Sequence, residues 1–259
     1  MNYPLIRATG SPRELGRQHG VLAASQIQAF VDYLAESLGL ARDALRRRAL
    51  RFQPLFERHC PPLMEEIRGL AEGAGIEFAE ALAVQIRGEL GMAADDACTS
   101  FVIGPRGTAD GNVLIGQTSD TPAEIEHFAY VLHLEPDDRP DILMWTFGGM
   151  LGYHGLNADG VAHFANSLGG GPAWKFALPH YPLKRLLLEC RTFGEAMEVF
   201  RTIPVCSNGN YVLCGNSEIA DVELTSDGPV VLRDNGTGFL AHANHFLCAA
   251  HACRENFDR

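Results

Sequence analysis

The spacing of apolar residues changes period at Cys98, and that change constrains the chain more than any other feature. Upstream, apolar side chains recur at helical spacing, with Leu63, Ile67, Leu70 and Ala74 on one stripe and Phe78, Leu82, Ile86 and Leu90 on the next. Downstream, Thr99-Ser100-Phe101-Val102-Ile103 is a β-prone run, followed by a Gly/Pro/Asp loop and a second run, Asn112-Val113-Leu114-Ile115-Gly116. A cysteine at the first position of a strand, behind Asp95-Asp96-Ala97, is what a self-cleaving precursor requires. Scission of the Ala97–Cys98 bond would make Cys98 an N-terminal residue with a thiol nucleophile and an α-amine base.

The rest of the chain follows this division. Ser11-Pro12-Arg13-Glu14 reads as a capping box with Pro at the first helical position. Further helices are expected over 24–38, 41–59, 63–74 and 78–90, with Pro61-Pro62 as a break. Beyond Cys98, strands are expected at 99–104, 112–118, 129–135 and 142–147, the first two forming a hairpin. Gly155-Leu156-Asn157-Ala158-Asp159-Gly160 reads as a turn into an apolar run. A helical pair about Leu183–Cys190 and Thr192–Arg201 follows, then strands at 210–214, 220–224, 229–233 and 238–243. Residues 1–97 are thus expected as a helical segment and 98–259 as the catalytic portion, in one integrated α+β domain.

Charge and cysteine use exclude several functions. A net charge of −11 is the wrong sign for a nucleic-acid partner. The excess acid lies downstream: 11 basic residues face 13 acidic ones through Ala97, and 10 face 19 thereafter. This acidity favours an amine-bearing substrate. No apolar run reaches the roughly 20 residues of a bilayer span, and the start lacks a signal-peptide pattern, so a cytoplasmic protein without membrane contact is expected. Seven cysteines at irregular spacings do not form a disulfide framework. They read as small buried side chains, with at least one reactive.

Three residues can be assembled into chemistry. A free thiol is only a few per cent ionised at neutral pH, so Cys98 needs a base, which a new α-amine supplies. Asp120 ends the strand paired with that of Cys98 and would return to its neighbourhood. Asn244, in Ala241-His242-Ala243-Asn244-His245-Phe246, offers an amide N–H₂ to a tetrahedral oxyanion. Each has a plainer reading: a packed cysteine, a strand-end aspartate and a turn asparagine.

Five motifs resemble those of the acyl-coenzyme A:6-aminopenicillanic acid acyltransferase family, the C45 group of N-terminal-nucleophile hydrolases. They are Gly10-Ser11-Pro12-x-Glu14-x-Gly16-x-x-His19-Gly20, Ala97-Cys98-Thr99, Gly116-Gln117-x-x-Asp120, Gly155-x-Asn157-x-x-Gly160 leading to Asn166, and His242-x-Asn244-His245. The resemblance implies a four-layer αββα sandwich behind a helical N-terminal segment, and autoproteolysis between Ala97 and Cys98. It makes Cys98 the nucleophile, Asp120 its support and Asn244 the oxyanion donor. It implies an acyl-cysteine intermediate at a small-molecule amide, or at a coenzyme A thioester in an acyltransferase, with no cofactor and with the cleaved halves remaining together. It also implies strands beyond the last motif, so the catalytic portion is expected to be cut short at its C-terminus.

Two readings compete. His242, His245, Cys248, His251 and Cys253 could form a metal-binding module, since zinc takes N and S donors. An inactive binding protein on the same scaffold is the other. Gly169-Gly170-Gly171 reads as a loop flanking substrate, and His154, His163 and His180 as ordinary loop or strand histidines.

Overall fold

A computed structural model describes residues 3–91 and 97–249 of the chain. The expected capping box forms: Glu14 Oε2 accepts from the Ser11 N–H at 2.9 Å and from its hydroxyl at 2.6 Å. It opens α1 (Pro12–Leu22), followed by α2 (Ala24–Ser37), α3 (Arg42–Leu50), α4 (Gln53–His59), α5 (Pro61–Ala74) and α6 (Phe78–Val84). Two expectations need correction. The helix expected over 41–59 is two helices, α3 and α4, and Pro61-Pro62 starts α5 rather than merely breaking the chain. The N-terminal segment also contributes a strand, β1 (Leu5–Gly10), too short and too near the chain start to announce itself by alternation.

After Cys98 come β2 (Ala97–Ile103), β3 (Leu114–Asp120), a short 3-10 turn, β4 (Ala129–Pro136), β5 (Ile142–Phe147), β6 (His154–Asn157) and β7 (Val161–Ser167). Then follow α7 (His180–Leu188), α8 (Phe193–Thr202), β8 (Gly209–Gly215), β9 (Glu218–Thr225), β10 (Gly228–Leu232) and β11 (Phe239–His242). The hairpin expected after Cys98 is β2–β3. The turn expected at 155–160 is partly strand, because β6 pairs with both β5 and β7.

Eight strands form one sheet in the order β1-β4-β5-β6-β7-β8-β9-β10, and β11-β2-β3 form a second. Among the described residues, only the β1–β4 pairing of the large sheet is parallel. The register puts Ile6, Leu132, Met144, Gly155, His163, Leu213 and Ala220 on one face, and that face carries the helices. On the other face Ala162, Val212 and Cys214 pack against Val102 of the small sheet. Strand β7 is therefore covered on both sides, which explains why Val161-Ala162-His163-Phe164-Ala165 shows no clean polar alternation. The α+β class expected from the sequence is what folds. Helices, large sheet and small sheet stack as three successive layers of the αββα sandwich among the described residues.

Three contacts hold the helices to one another and to the large sheet. Gly16 and Gly20 of α1 face Gly69 and Gly73 of α5 so closely that a Cβ on Gly69 would lie 2.1 Å from the Arg13 carbonyl oxygen. Beside this crossing, Glu66 of α5 and Arg185 of α7 form a buried two-pronged ion pair with N–O distances of 2.9 and 2.6 Å. His19 of α1 is buried against the Tyr130 hydroxyl at 2.6 Å. An alanine at an open helical position is favoured over glycine by up to about 1 kcal/mol. At Gly69 the sign should reverse: Gly69→Ala is expected to lose about 1–3 kcal/mol in urea unfolding, and a gain in stability would refute the close crossing.

Candidate active site

Cys98 lies near the start of β2, where alternation turns Cys98, Ser100 and Val102 toward the large sheet and leaves Ala97 and Thr99 exposed. Its N–H donates to Asn244 Oδ1 at 2.6 Å, joining residues 146 apart in sequence. Asn244 Nδ2 donates in turn to Ser167, at 2.9 Å to its carbonyl and 3.1 Å to its hydroxyl. The Cys98 thiol lies 3.8 Å from the Ser119 hydroxyl across the β2–β3 ladder. The structure thus brings Cys98 and Asn244 together, with the Asn244 carbonyl rather than its amide nitrogen toward Cys98. Asp120 is one step further along: it pairs with Ala97 and is exposed at the strand end, so Ser119 holds the position opposite Cys98.

A buried polar network holds Asn244 in place. Glu223 of β9, with no exposure, accepts from His242 Nε2 at 3.1 Å, from the Cys248 N–H at 3.1 Å and from the Leu247 N–H. His242 Nδ1 faces the Ala243 carbonyl at 2.8 Å. The short loop that carries Asn244 is therefore tethered on both sides by one carboxylate. Asn166 of β7 ties the two sheets together: its Nδ2 donates to Ser100 Oγ at 2.8 Å, to the His242 carbonyl at 2.9 Å and to Asn210 Oδ1 at 3.1 Å. Gln117 Nε2 completes the set by donating to Asn166 Oδ1 at 2.8 Å. Asn210 in turn donates to Asp221, whose carboxyl is pushed up to about 6, chiefly by burial.

Several motif residues thus have architectural jobs. Asn157 caps the turn into β7 through the Asp159 and Val161 N–H groups, and its Nδ2 donates to the carbonyls of Leu188, the last residue of α7, and of Cys190. His242 is committed to Glu223, and His251 and Cys253 lie outside the described residues. Among the described residues no three His, Cys, Asp or Glu side chains gather as a metal site.

Cys98 and Ser167 border a cavity of about 270 Å³ that runs between the sheet and α7. Its walls include Tyr153, His154, His180 and Lys184, together with Glu89 from the end of the helical segment. Of the histidines expected in strands or loops, His154 begins strand β6, whereas His180 begins helix α7 rather than a strand or loop. Burial holds His163 at about 3 and His180 at about 4, and pushes His154 well below the usual imidazole range; the Lys184 charge adds to all three. Burial also raises the Glu89 carboxyl. Ser119, Ser167, Glu223 and Lys184 escaped the sequence reading. A fully buried strand carboxylate such as Glu223 has no one-dimensional signature, and Ser167 could have been found only as the neighbour of the motif residue Asn166.

A profile of the family described as acyl-coenzyme A:6-aminopenicillanic acid acyl-transferase matches residues 107–257, more than half of the chain. The acyl-coenzyme A:6-aminopenicillanic-acid-acyltransferase 40 kDa form of Emericella nidulans is 26% identical over 254 residues, which is 93% of this chain and 69% of that protein. Among solved structures, the Caenorhabditis elegans N-acylethanolamine-hydrolyzing acid amidase ortholog aligns with a TM-score of 0.47 at 16% identity, over 57% of this chain and 70% of that one. Penicillin V acylase from Agrobacterium tumefaciens aligns at 0.33 and 14% identity, over 57% and 44% of the two chains.

The network yields two stability predictions. Glu223→Ala strands one ring nitrogen and two backbone N–H groups, at about 1–3 kcal/mol for each unpaired group, and should be far less stable in urea than Glu223→Gln, which keeps an acceptor. Equal stability of the two variants would contradict the tether. The buried histidines set the pH dependence. Below about 6.5 the unfolded chain protonates His19, His154, His163 and His180, while the folded chain keeps them neutral; His19 itself is held at about 3 by burial. Asp221 and Glu89 work in the opposite direction, because they bind a proton more readily when folded. Unfolding at pH 5 should still take up roughly two protons, so stability falls from pH 7 to pH 5. Calorimetric unfolding across that range checks the sign, and stability that rises on acidification would contradict it.

Proposed function

Because the chain belongs to the acyl-coenzyme A:6-aminopenicillanic acid acyltransferase family, we propose that it cleaves itself between Ala97 and Cys98 and then transfers acyl groups through Cys98. The observation that carries this reading is the convergence of the Cys98 N–H, Asn244 Oδ1 and a cavity at one strand start. The preferred reaction is hydrolysis of a small-molecule amide.

In the continuous chain the thiol attacks the Ala97 carbonyl carbon. The peptide C–N bond breaks as the S–C bond forms, and the nitrogen takes the thiol proton, leaving a thioester that water resolves. The Asn244 carbonyl then holds a proton of the new α-amine, so that its lone pair is free to accept the Cys98 thiol proton. The thiolate adds to the substrate carbonyl, and the ammonium returns a proton to the departing amine as the acyl-cysteine forms. Water, deprotonated by the same amine, releases the acid and regenerates the thiol.

Asn244 Nδ2 already donates to Ser167 Oγ, and in this reading an oxyanion exchanges with that hydroxyl. Asp120, at the end of the neighbouring strand, contributes charge near the amine. The halves remain associated after scission through the Glu66–Arg185 pair and a core that mixes both segments, such as Leu70 with Leu132 and Phe147. An acyltransferase using a coenzyme A thioester follows the same steps with an amine in place of water, and the family description favours it as the second reading.

Intact-mass measurement of the purified chain should give two fragments divided before Cys98. The Cys98→Ala variant should give one full-length mass. A single mass for the unsubstituted protein would overturn self-processing.

A further inference from the structure

Strand β2 lies between β11 and β3 in the small sheet, so Cys98 has a neighbour on each side. The two sides hold different atoms of the residue. Past the end of β11, Asn244 Oδ1 accepts from the Cys98 N–H at 2.6 Å. On β3, Ser119 pairs directly with Cys98, and the thiol donates to its hydroxyl at 3.8 Å, a contact of sulfur length. Directly opposed residues of an antiparallel pair carry their Cβ atoms about 4.5–5.5 Å apart on one face. Cysteine and serine each reach one atom beyond Cβ, so this register sets sulfur beside oxygen.

Ser119 is exposed, whereas Cys98 is buried. Among the described residues the Ser119 hydroxyl makes no other hydrogen bond. A hydroxyl both accepts and donates, and its hydrogen turns to suit the partner. Facing a thiol it can accept. Facing a thiolate it must donate, because the sulfur then has no proton to give. A bond to a charged acceptor is roughly twice as strong as one between neutral groups, so it favours the ionised form. Water competes for the same hydrogen at an exposed serine and reduces that gain. Glu89 of the helical segment, His154 of β6, and His180 and Lys184 of α7 border the same cavity with three tyrosine phenols, and Asp120 follows Ser119 on β3. Substitution at position 119 leaves all of these groups in the chain.

We propose that Ser119 is the donor that stabilises the Cys98 thiolate, its hydroxyl turning from acceptor to donor as the thiol gives up its proton. The thiol proton passes to the α-amine and the serine keeps its own, so no bond of Ser119 breaks. Asn244 then serves the nitrogen of the nucleophile from one side, and Ser119 serves its sulfur from the other. This role deepens the acyl-transfer reading and rests on it for the use to which the thiolate is put.

Alkylation of Cys98 by iodoacetamide follows the thiolate, and peptide mass after digestion separates it from the other cysteines. Rates measured from about pH 6 to about pH 10 give the midpoint of ionisation for the unsubstituted protein and for Ser119→Ala, Ser119→Val and Ser119→Thr. Valine and threonine share a shape and differ by the hydroxyl. The Ala and Val variants should titrate about half to one pH unit higher, which makes alkylation below the midpoint roughly three- to ten-fold slower. Ser119→Thr should stay with the unsubstituted protein. An unchanged midpoint in a folded Ala or Val variant, or a Thr midpoint that moves as far as that of Val, would overturn the role of Ser119. Thermal unfolding identifies the folded variants. Intact mass of the same samples reads self-cleavage separately, and rates are compared between samples of the same chain form. Failure to cleave would sink the acyl-transfer reading and leave the thiolate result standing, because Cys98 carries its thiol in both forms.

Discussion

The hydrogen bond from the Cys98 N–H to Asn244 Oδ1 is the point on which the site depends, because neither residue is positioned by its own neighbours in sequence. Cys98 is placed by the β2–β3 hairpin and by the packing of Val102 under the large sheet. Asn244 is placed by Glu223, which lies on the large sheet and grips both sides of the short loop 243–246 through His242 and the N–H groups of Leu247 and Cys248. Asn166 then fixes the two sheets in register by bonding Ser100 of one strand and the His242 carbonyl of another. Its buried members, Glu223, His242, Asn166 and Ser100, would cost free energy if left unpaired, which couples these contacts to one another.

The same logic runs into the helical layer. The Gly16, Gly20, Gly69 and Gly73 contact lets α1 and α5 approach to backbone distance, and the close crossing carries Glu66 to Arg185 on α7. Helix α7 also carries Lys184 into the cavity wall. Segments on either side of Cys98 therefore share one core, and one wall of the cavity is built on a helix held by a carboxylate from the other segment.

Much of this was legible in the sequence. The switch of period at Cys98, the hairpin after it, the capping box at Ser11 and the helical pair before β8 all appear where local spacing and turn chemistry put them. Strands β1 and β6 were not legible, since their pairing is set by neighbours distant in sequence and not by alternation. In the site, Cys98 and Asn244 could be singled out because the motifs name them. The orientation of the Asn244 amide, the presence of Ser119 opposite Cys98 and the exposed position of Asp120 depend on a register of single residues, which no spacing rule supplies.

The claim that Cys98 is the nucleophile is tested most directly by trapping its acyl group. Protein mixed with a small activated ester, quenched in acid and digested, should show one acyl adduct, on the peptide that begins at Cys98, and none in Cys98→Ala. An adduct confined to another cysteine, or an acyl-free Cys98 peptide under conditions where the ester is consumed, would contradict the account.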